Sequence, residues 1–406
     1  MDIDPGFLEF ESRLSRPLNL KIPDLQHGGR LRHVLFASQF NLPLLDRLGK
    51  VADRIRTIAK SREGHRFLNS LLSHKRAMLY FSQPSTRTFL SFSAACQILG
   101  IACNEVRDPA TSSESKGESP LDSIRMFSSY FDLVIMRSPV SQFAECCAYM
   151  MNELEQEDRR SVPIVNAGSG KDEHPTQALL DMYTIQRAFE FRHERDSSQW
   201  SKYDEMRSKY PNVRRGIDHK IIGFCGDLRR GRTMRSLAQL LALHQEMTMI
   251  FIAPKHPSLS MPDDLKQLLM DSGVRVLEAD SFETPIGGVP VIEQLDCLYM
   301  TRIQTEHNSA QDKVDFAAID FTNYKLTRSL VQRMKEYAAI LHPFPRDKEF
   351  GEIPPAVDRD PRAHYFRQAR NGMWARAALL AHIFDVDGAI SDYYEDYTKR
   401  KPLAPP

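Results

Sequence analysis

No apolar run in these 406 residues reaches the length of a membrane-spanning helix. The opening Met-Asp-Ile-Asp-Pro-Gly carries acids where a secretory signal needs basic residues and an apolar stretch, so the chain is expected to be soluble and cytoplasmic. Cysteine is sparse and unpatterned. Cys96, Cys103, Cys146, Cys147, Cys225 and Cys297 form no CxxC pair and no disulfide-framework spacing, which argues for a reducing compartment and against metal ligation. An excess of one charge is missing too: 54 Lys and Arg stand against 53 Asp and Glu, a net of +1. No global field therefore marks nucleic acid or a membrane surface as a partner, and any anion site must be local. No repeat with a solenoid period is found.

What is present is a βαβ rhythm. Apolar runs at 76–81, 133–136, 163–165, 221–225, 249–252, 297–300 and 339–341 alternate with amphipathic segments, which predicts mostly parallel sheets. The length exceeds one ordinary core and suits two doubly wound α/β domains with an active-site cleft between them. Residues 1–32 show no clear periodicity and read as an extension lying on or off the first domain. A first domain is expected over 33–186, with a helix at 364–384 packing back on it. The hydrophilic stretch 187–219 reads as a junction with an insertion, 220–363 as the second domain, and 385–406 as a tail whose last ten or so residues fray.

Several strand ends carry polar groups. After the run ending at Phe81, Pro84-Ser85-Thr86-Arg87-Thr88 opens a helix with apolar Leu90, Phe92, Ala95 and Leu99. Hydroxyls and a guanidinium at a helix N-terminus suit a phosphate, although a plain hydroxyl cap accounts for one of them. In the second element, Val165-Asn166-Ala167-Gly168 precedes His174-Pro175-Thr176-Gln177. Pro175 fits a first helical position, so His174 and Gln177 lie one turn apart on one side, able to hydrogen-bond a carbonyl or simply to serve the fold. The turn Gly226-Asp227-Leu228-Arg229-Arg230-Gly231-Arg232 follows a strand but lacks GxGxxG, which disfavours a dinucleotide; a solvated basic turn is the simpler role of Arg229 and Arg230. Arg137 and Arg302 fall beyond strand ends, where parallel sheets bind ligands. His342-Pro343-Phe344-Pro345-Arg346 is a proline-stiffened loop, and 111–118 a polar loop holding Lys116.

Taken in order from about His33 to Phe384, these segments resemble the aspartate/ornithine carbamoyltransferase family, and its aspartate branch in particular. The resemblance implies that Ser85, Thr86, Arg87 and Thr88 bind the phosphate of carbamoyl phosphate. Arg137 reaches the same substrate, His174 and Gln177 surround its carbamoyl end, and the backbone of Pro343 and Phe344 holds its amine. Phe344-Pro345 is a candidate cis bond, because the family uses one there. Arg232, Arg302 and Gln304 match groups that bind the two carboxylates of L-aspartate. Lys116 and Ser112 match a mobile loop that enters the neighbouring subunit's site, which implies a homotrimer with shared sites. No cofactor or metal is implied, and the product, N-carbamoyl-L-aspartate, belongs to pyrimidine biosynthesis. The Ser-Met-Gly signature of the ornithine branch is absent.

Some positions depart from the pattern. Gln83 and His307 replace a glutamate and an arginine that pair across the closing domains, so the contact loses its charge. Phe89 and Ser93 replace an arginine and an acid, and Ser138 a histidine. Two other readings remain open: a carbamoyltransferase for a different amino acid, and a non-catalytic relative that binds ligand or supports partner subunits. A regulatory or dihydroorotase-like partner is a further possibility that the residues leave open.

Overall fold

The computed structural model describes residues 5–108, 113–160, 162–169, 173–189, 209–210, 213–303, 319–347 and 351–400. Most of the expected 187–219 insertion lies outside these. The chain divides into two compact units, one of residues 1–180 with 372–402 and one of residues 181–371.

The first unit is built on four parallel strands, β1 (Arg76–Phe81), β2 (Ala102–Val106), β3 (Leu133–Arg137) and β4 (Ile164–Asn166), in the order β2-β1-β3-β4. β1 and β3 are buried along almost their whole length, as near-continuous apolar runs in a covered parallel sheet should be. Helices α1 (Pro5–Leu14), α2 (Leu42–Ile58), α3 (Arg62–Leu71), α4 (Thr86–Leu99), α5 (Pro120–Phe127) and α6 (Phe143–Asp158) accompany them. Because β2 and β3 flank β1 on opposite sides, the strand order reverses at β1, and the loops after β1 and β3 meet at that switch point.

Both chain ends carry helices. The amino-terminal extension is ordered on the unit, because Phe7, Phe10 and Leu14 recur on one face of α1 and bury against α6. Phe7 stacks on Phe143 at 6.0 Å and Phe10 on Tyr149 at 6.4 Å. At the other end, α11 (Asp387–Arg400) carries the tail onward, after α10 (Tyr365–Ile383). Asp387 accepts from Arg30 and Arg47 at 2.7 Å each, Tyr393 stacks on Phe67 at 3.8 Å, and Arg400 reaches Glu63 at 3.1 Å. These ties hold the chain to Arg400.

The second unit has five parallel strands, β5 (Ile221–Cys225), β6 (Thr248–Ile252), β7 (Arg275–Ala279), β8 (Cys297–Met300) and β9 (Ala339–Leu341), in the order β9-β8-β5-β6-β7. Their reversal falls between β5 and β8. Helices α8 (Arg232–Leu241) and α9 (Asp263–Asp271) follow β5 and β6, and α7 (Pro175–Phe189) precedes the unit. Asp181 of α7 is fully buried and accepts from Tyr299 Oη at 2.7 Å and Gln368 Nε2 at 2.6 Å, joining α7, β8 and α10 within this unit. Among the described residues no helix is long and apolar enough to cross a membrane.

Burial of two histidines sets an acid limit. His33 accepts from the Ile164 amide at 3.0 Å through Nδ1 and meets Asn152 Oδ1 at 3.1 Å through Nε2, so the neutral ring satisfies both neighbours. Burial first, and the Arg32 charge second, push its pKa down to about 3; burial alone lowers His364 to about 4. The unfolded chain, with His near 6.5, then holds the extra protons, so stability falls as pH drops below about 6.5. Each histidine contributes at most about 1.4 kcal/mol per pH unit in that window. Urea unfolding at pH 5 is expected to give a stability roughly 2–4 kcal/mol below that at pH 7; an unchanged midpoint would refute the neutral, buried assignment.

Candidate active site

In the first unit the chain after β1 turns into α4 with Ser85 at the cap, in an extended conformation. Its hydroxyl donates to Thr88 Oγ1 at 3.0 Å rather than capping the backbone, so both hydroxyls cluster at the helix N-terminus. Thr88 is buried, while Thr86 and Arg87 are exposed beside it. The Gln83 amide donates to the Arg137 carbonyl at 3.1 Å, which ties this turn to the end of β3. Arg137 Nη1 in turn donates to the Ala167 carbonyl at 3.2 Å, beyond β4.

The loop from 166 to 174 brings the third group in. Asn166 Oδ1 accepts from the amides of Gly168 at 2.8 Å and Ser169 at 2.9 Å, and its Nδ2 donates to the Glu173 carbonyl at 3.1 Å. Gly168 has φ +98°, and a Cβ there would stand 2.7 Å from His174 Cδ2 and 2.8 Å from Arg137 Nη1. The imidazole and the guanidinium therefore converge on one glycine, with Gln177 one turn into α7 and buried. Ser138, where the resemblance expects a histidine, is buried, and its amide donates to Ser169 Oγ at 3.2 Å. Phe89 is buried edge-on against Phe81 and lies under the Arg107 guanidinium at 4.7 Å.

Lys116 is exposed at the end of a short turn, Ser113–Lys116. Tyr80 Oη donates to Glu114 Oε1 at 2.9 Å and so anchors that turn on β1. Burial, with Glu118 adding, raises the Glu114 pKa. Ser112 lies outside the described residues.

In the second unit the turn after β5 and the end of β8 are packed together. Gly226 has φ +125°, and a Cβ there would stand 2.2 Å from the Thr301 carbonyl oxygen. Thr301 donates through its amide to the Cys225 carbonyl at 2.8 Å. Arg302, one residue on, and Arg232, at the start of α8, thus project from adjoining strand ends, and both are half-buried. Arg229 is exposed, in keeping with a solvated turn. Gln304 and His307 lie outside the described residues.

The loop after β9 is rigidly held. The Phe344 amide donates to His342 Nδ1 at 2.8 Å, which leaves the ring proton on Nε2, where Glu352 Oε1 accepts at 2.8 Å. The Gln368 side chain receives the His342 amide at 2.8 Å. The Phe344-Pro345 peptide is cis, as the resemblance implies. With the Phe344 amide committed, what the Pro343-Phe344-Pro345 stretch can offer an amine is carbonyl oxygen.

Comparison with known proteins bears on these two halves separately. Residues 32–187 match the model of the carbamoyl-P binding domain of aspartate/ornithine carbamoyltransferases, and residues 218–383 match that of their Asp/Orn binding domain. The chain belongs to the aspartate/ornithine carbamoyltransferase family. Within it, the chain is 38% identical over 302 residues to the aspartate carbamoyltransferase catalytic subunit of Alkaliphilus oremlandii, covering 74% of this chain and 77% of that one. It is 34% identical over 368 residues to the catalytic subunit of Cellvibrio japonicus, covering 89% and 94%. The aspartate transcarbamoylase of Trypanosoma cruzi in complex with aspartate and phosphate is similar in structure, with TM-score 0.70, 30% identity, and coverage of 87% of this chain and 96% of that one. Like the other members of the carbamoyltransferase family, this chain is an enzyme of the transferase class.

Reading residues alone overlooks the supports of these groups. Asn166 and Gly168 stand in a quoted motif without an assigned role, and Glu352 is not singled out at all. An acid inside the apolar stretch of α7, Asp181, was the one visible signal of the buried network around Tyr299.

Proposed function

We infer that the chain transfers the carbamoyl group of carbamoyl phosphate to the α-amine of L-aspartate, giving N-carbamoyl-L-aspartate and phosphate, a reaction of pyrimidine biosynthesis. The observation that carries this reading is the convergence of Arg137 and His174 on Gly168, next to the hydroxyl cluster of α4. Ser85, Thr86, Arg87 and Thr88 take the phosphate at a helix N-terminus, where backbone N–H groups and the helix dipole favour an anion. Arg137, His174 and Gln177 address the carbamoyl end, and carbonyls of the Pro343-Phe344-Pro345 loop accept from its NH₂.

Aspartate is held through its carboxylates by Arg232, Arg302 and Gln304, with Lys116 and Ser112 supplied by a neighbouring subunit of a homotrimer in the cytoplasm. Its neutral amine attacks the carbamoyl carbon, and the carbonyl π electrons move onto oxygen. Thr88, Arg137 and His174 donate to that developing oxyanion. Collapse breaks the C–O bond to phosphate, and the departing phosphate takes the amine proton, so no protein base is needed. Holding both reactants in place supplies a large part of the acceleration.

A phosphate-release assay with carbamoyl phosphate tests the reading. Release is expected with L-aspartate and not with L-ornithine. Binding of N-(phosphonacetyl)-L-aspartate without any turnover would instead support the non-catalytic alternative.

A further inference from the structure

A cavity of about 360 Å³ lies between the amino-terminal extension and α6 in the first unit, far along the chain from the loops described above. Arg13, Arg16 and Asp24 line it from the extension, and Tyr149 and Glu155 from α6, with Arg32 at the first residue of the family match. Its volume is within the range of small-molecule sites.

The informative residue is Arg32, which is only 6% exposed. Nη1 of its guanidinium pairs with the Glu155 carboxylate. Nε and Nη2, both buried, meet no hydrogen-bond partner among the described residues. Those two nitrogens form one edge of the planar guanidinium, the edge that grips two oxygens of a carboxylate or phosphate side by side. A buried charged donor without an acceptor costs about 1–3 kcal/mol or more, so this edge gains by taking an oxyanion.

A second donor stands nearby. The Tyr149 hydroxyl is likewise buried without a well-placed hydrogen-bond partner. Burial first, and the nearby Glu145 carboxylate second, keep the phenol un-ionised, and Lys21 Nζ pairs with that carboxylate at 2.8 Å. The Tyr149 ring also carries the Arg13 guanidinium at 5.6 Å. Arg13 pairs outward with Glu153 at 2.9 Å and Arg16 with Asp24 at 3.2 Å, and these pairs are far more exposed than Arg32. They form a rim whose exposed pairs are weak enough to open for a ligand.

We propose that this cavity is a second anion site that takes a phosphate-bearing small molecule, held by the Nε–Nη2 edge of Arg32 and the hydroxyl of Tyr149 and closed over by Arg13 and Arg16. Phosphate suits it better than carboxylate, because its oxygens point in three directions and can meet the deep guanidinium, the phenol and a rim arginine together. The site depends on the extension, so it is independent of the catalytic reading.

Calorimetric titration of the full chain with inorganic pyrophosphate, after saturation with N-(phosphonacetyl)-L-aspartate, tests it, with malonate as the carboxylate control. One pyrophosphate per chain is expected, at a Kd of roughly 0.01–1 mM. Arg32→Met should weaken it about 10- to 100-fold and Tyr149→Phe about three- to tenfold. Tyr149→Phe removes one oxygen and keeps the ring, so it remains informative if Arg32→Met does not fold. Absence of pyrophosphate binding to the saturated wild type, unchanged affinity in Tyr149→Phe, or equal affinity for malonate would each overturn the proposal.

Discussion

Arg137→Ala is expected to lower turnover about 10²- to 10³-fold while leaving the chain folded, and His174→Ala to do much the same. Both side chains end at Gly168, where a developing oxyanion would receive donors held in place before the reaction begins. A donor of that kind stabilises the transition state more than the ground state, so the loss should fall on kcat more than on KM. Arg137 also donates to the Ala167 carbonyl at 3.2 Å, so its removal frees one loop carbonyl. Circular dichroism and a urea midpoint separate that structural cost from the chemical one. Near-normal turnover in either variant would remove the residue from the reaction.

The second large effect is expected where no side chain exists. Gly168→Ala places a methyl group 2.7–2.9 Å from both the His174 ring and Arg137 Nη1, at a φ of +98° that L-residues seldom adopt. The strain costs about 1–3 kcal/mol, and the added carbon must also push the two donors apart. Misplacement by about 1 Å can cost roughly a hundredfold in rate. Turnover in Gly168→Ala should therefore fall at least as far as in either donor variant, with phosphate affinity reduced less, because the α4 hydroxyls are untouched. Full activity would show that the glycine is a turn residue and nothing more. A Gly168→Ala, His174→Ala double variant is informative as well: if the methyl acts through the histidine, the two losses should fail to add.

How far the residues alone carry the reading depends on where each lies. Strands β1, β3, β4, β5, β6, β8 and β9 were legible as apolar runs, because a parallel sheet covered on both faces requires its buried strands to be apolar throughout. The edge strands β2 and β7 were not, and their burial explains it: Ala102–Val106 and Arg275–Ala279 are exposed over much of their length and carry polar residues. α1 escaped notice because Met-Asp-Ile-Asp-Pro-Gly reads as loop, while the apolar spacing of Phe7, Phe10 and Leu14 is short. Within the site, charged and hydroxylated side chains at strand ends could be picked out by chemistry. Asn166, Gly168 and Glu352 act by fixing other groups, and nothing in their local sequence reports which groups those are.

Tyr80 and Glu114 add a limit on motion. With the carboxylate of Glu114 fixed to a buried phenol on β1, Lys116 is two residues from a fixed point, and an extended chain spans only about 3.3–3.6 Å per residue. While that bond persists, the lysine's backbone stays within the combined reach of two residues, about 7 Å, and the glutamate side chain from the phenol. Any wider excursion has to begin by breaking the link to the phenol.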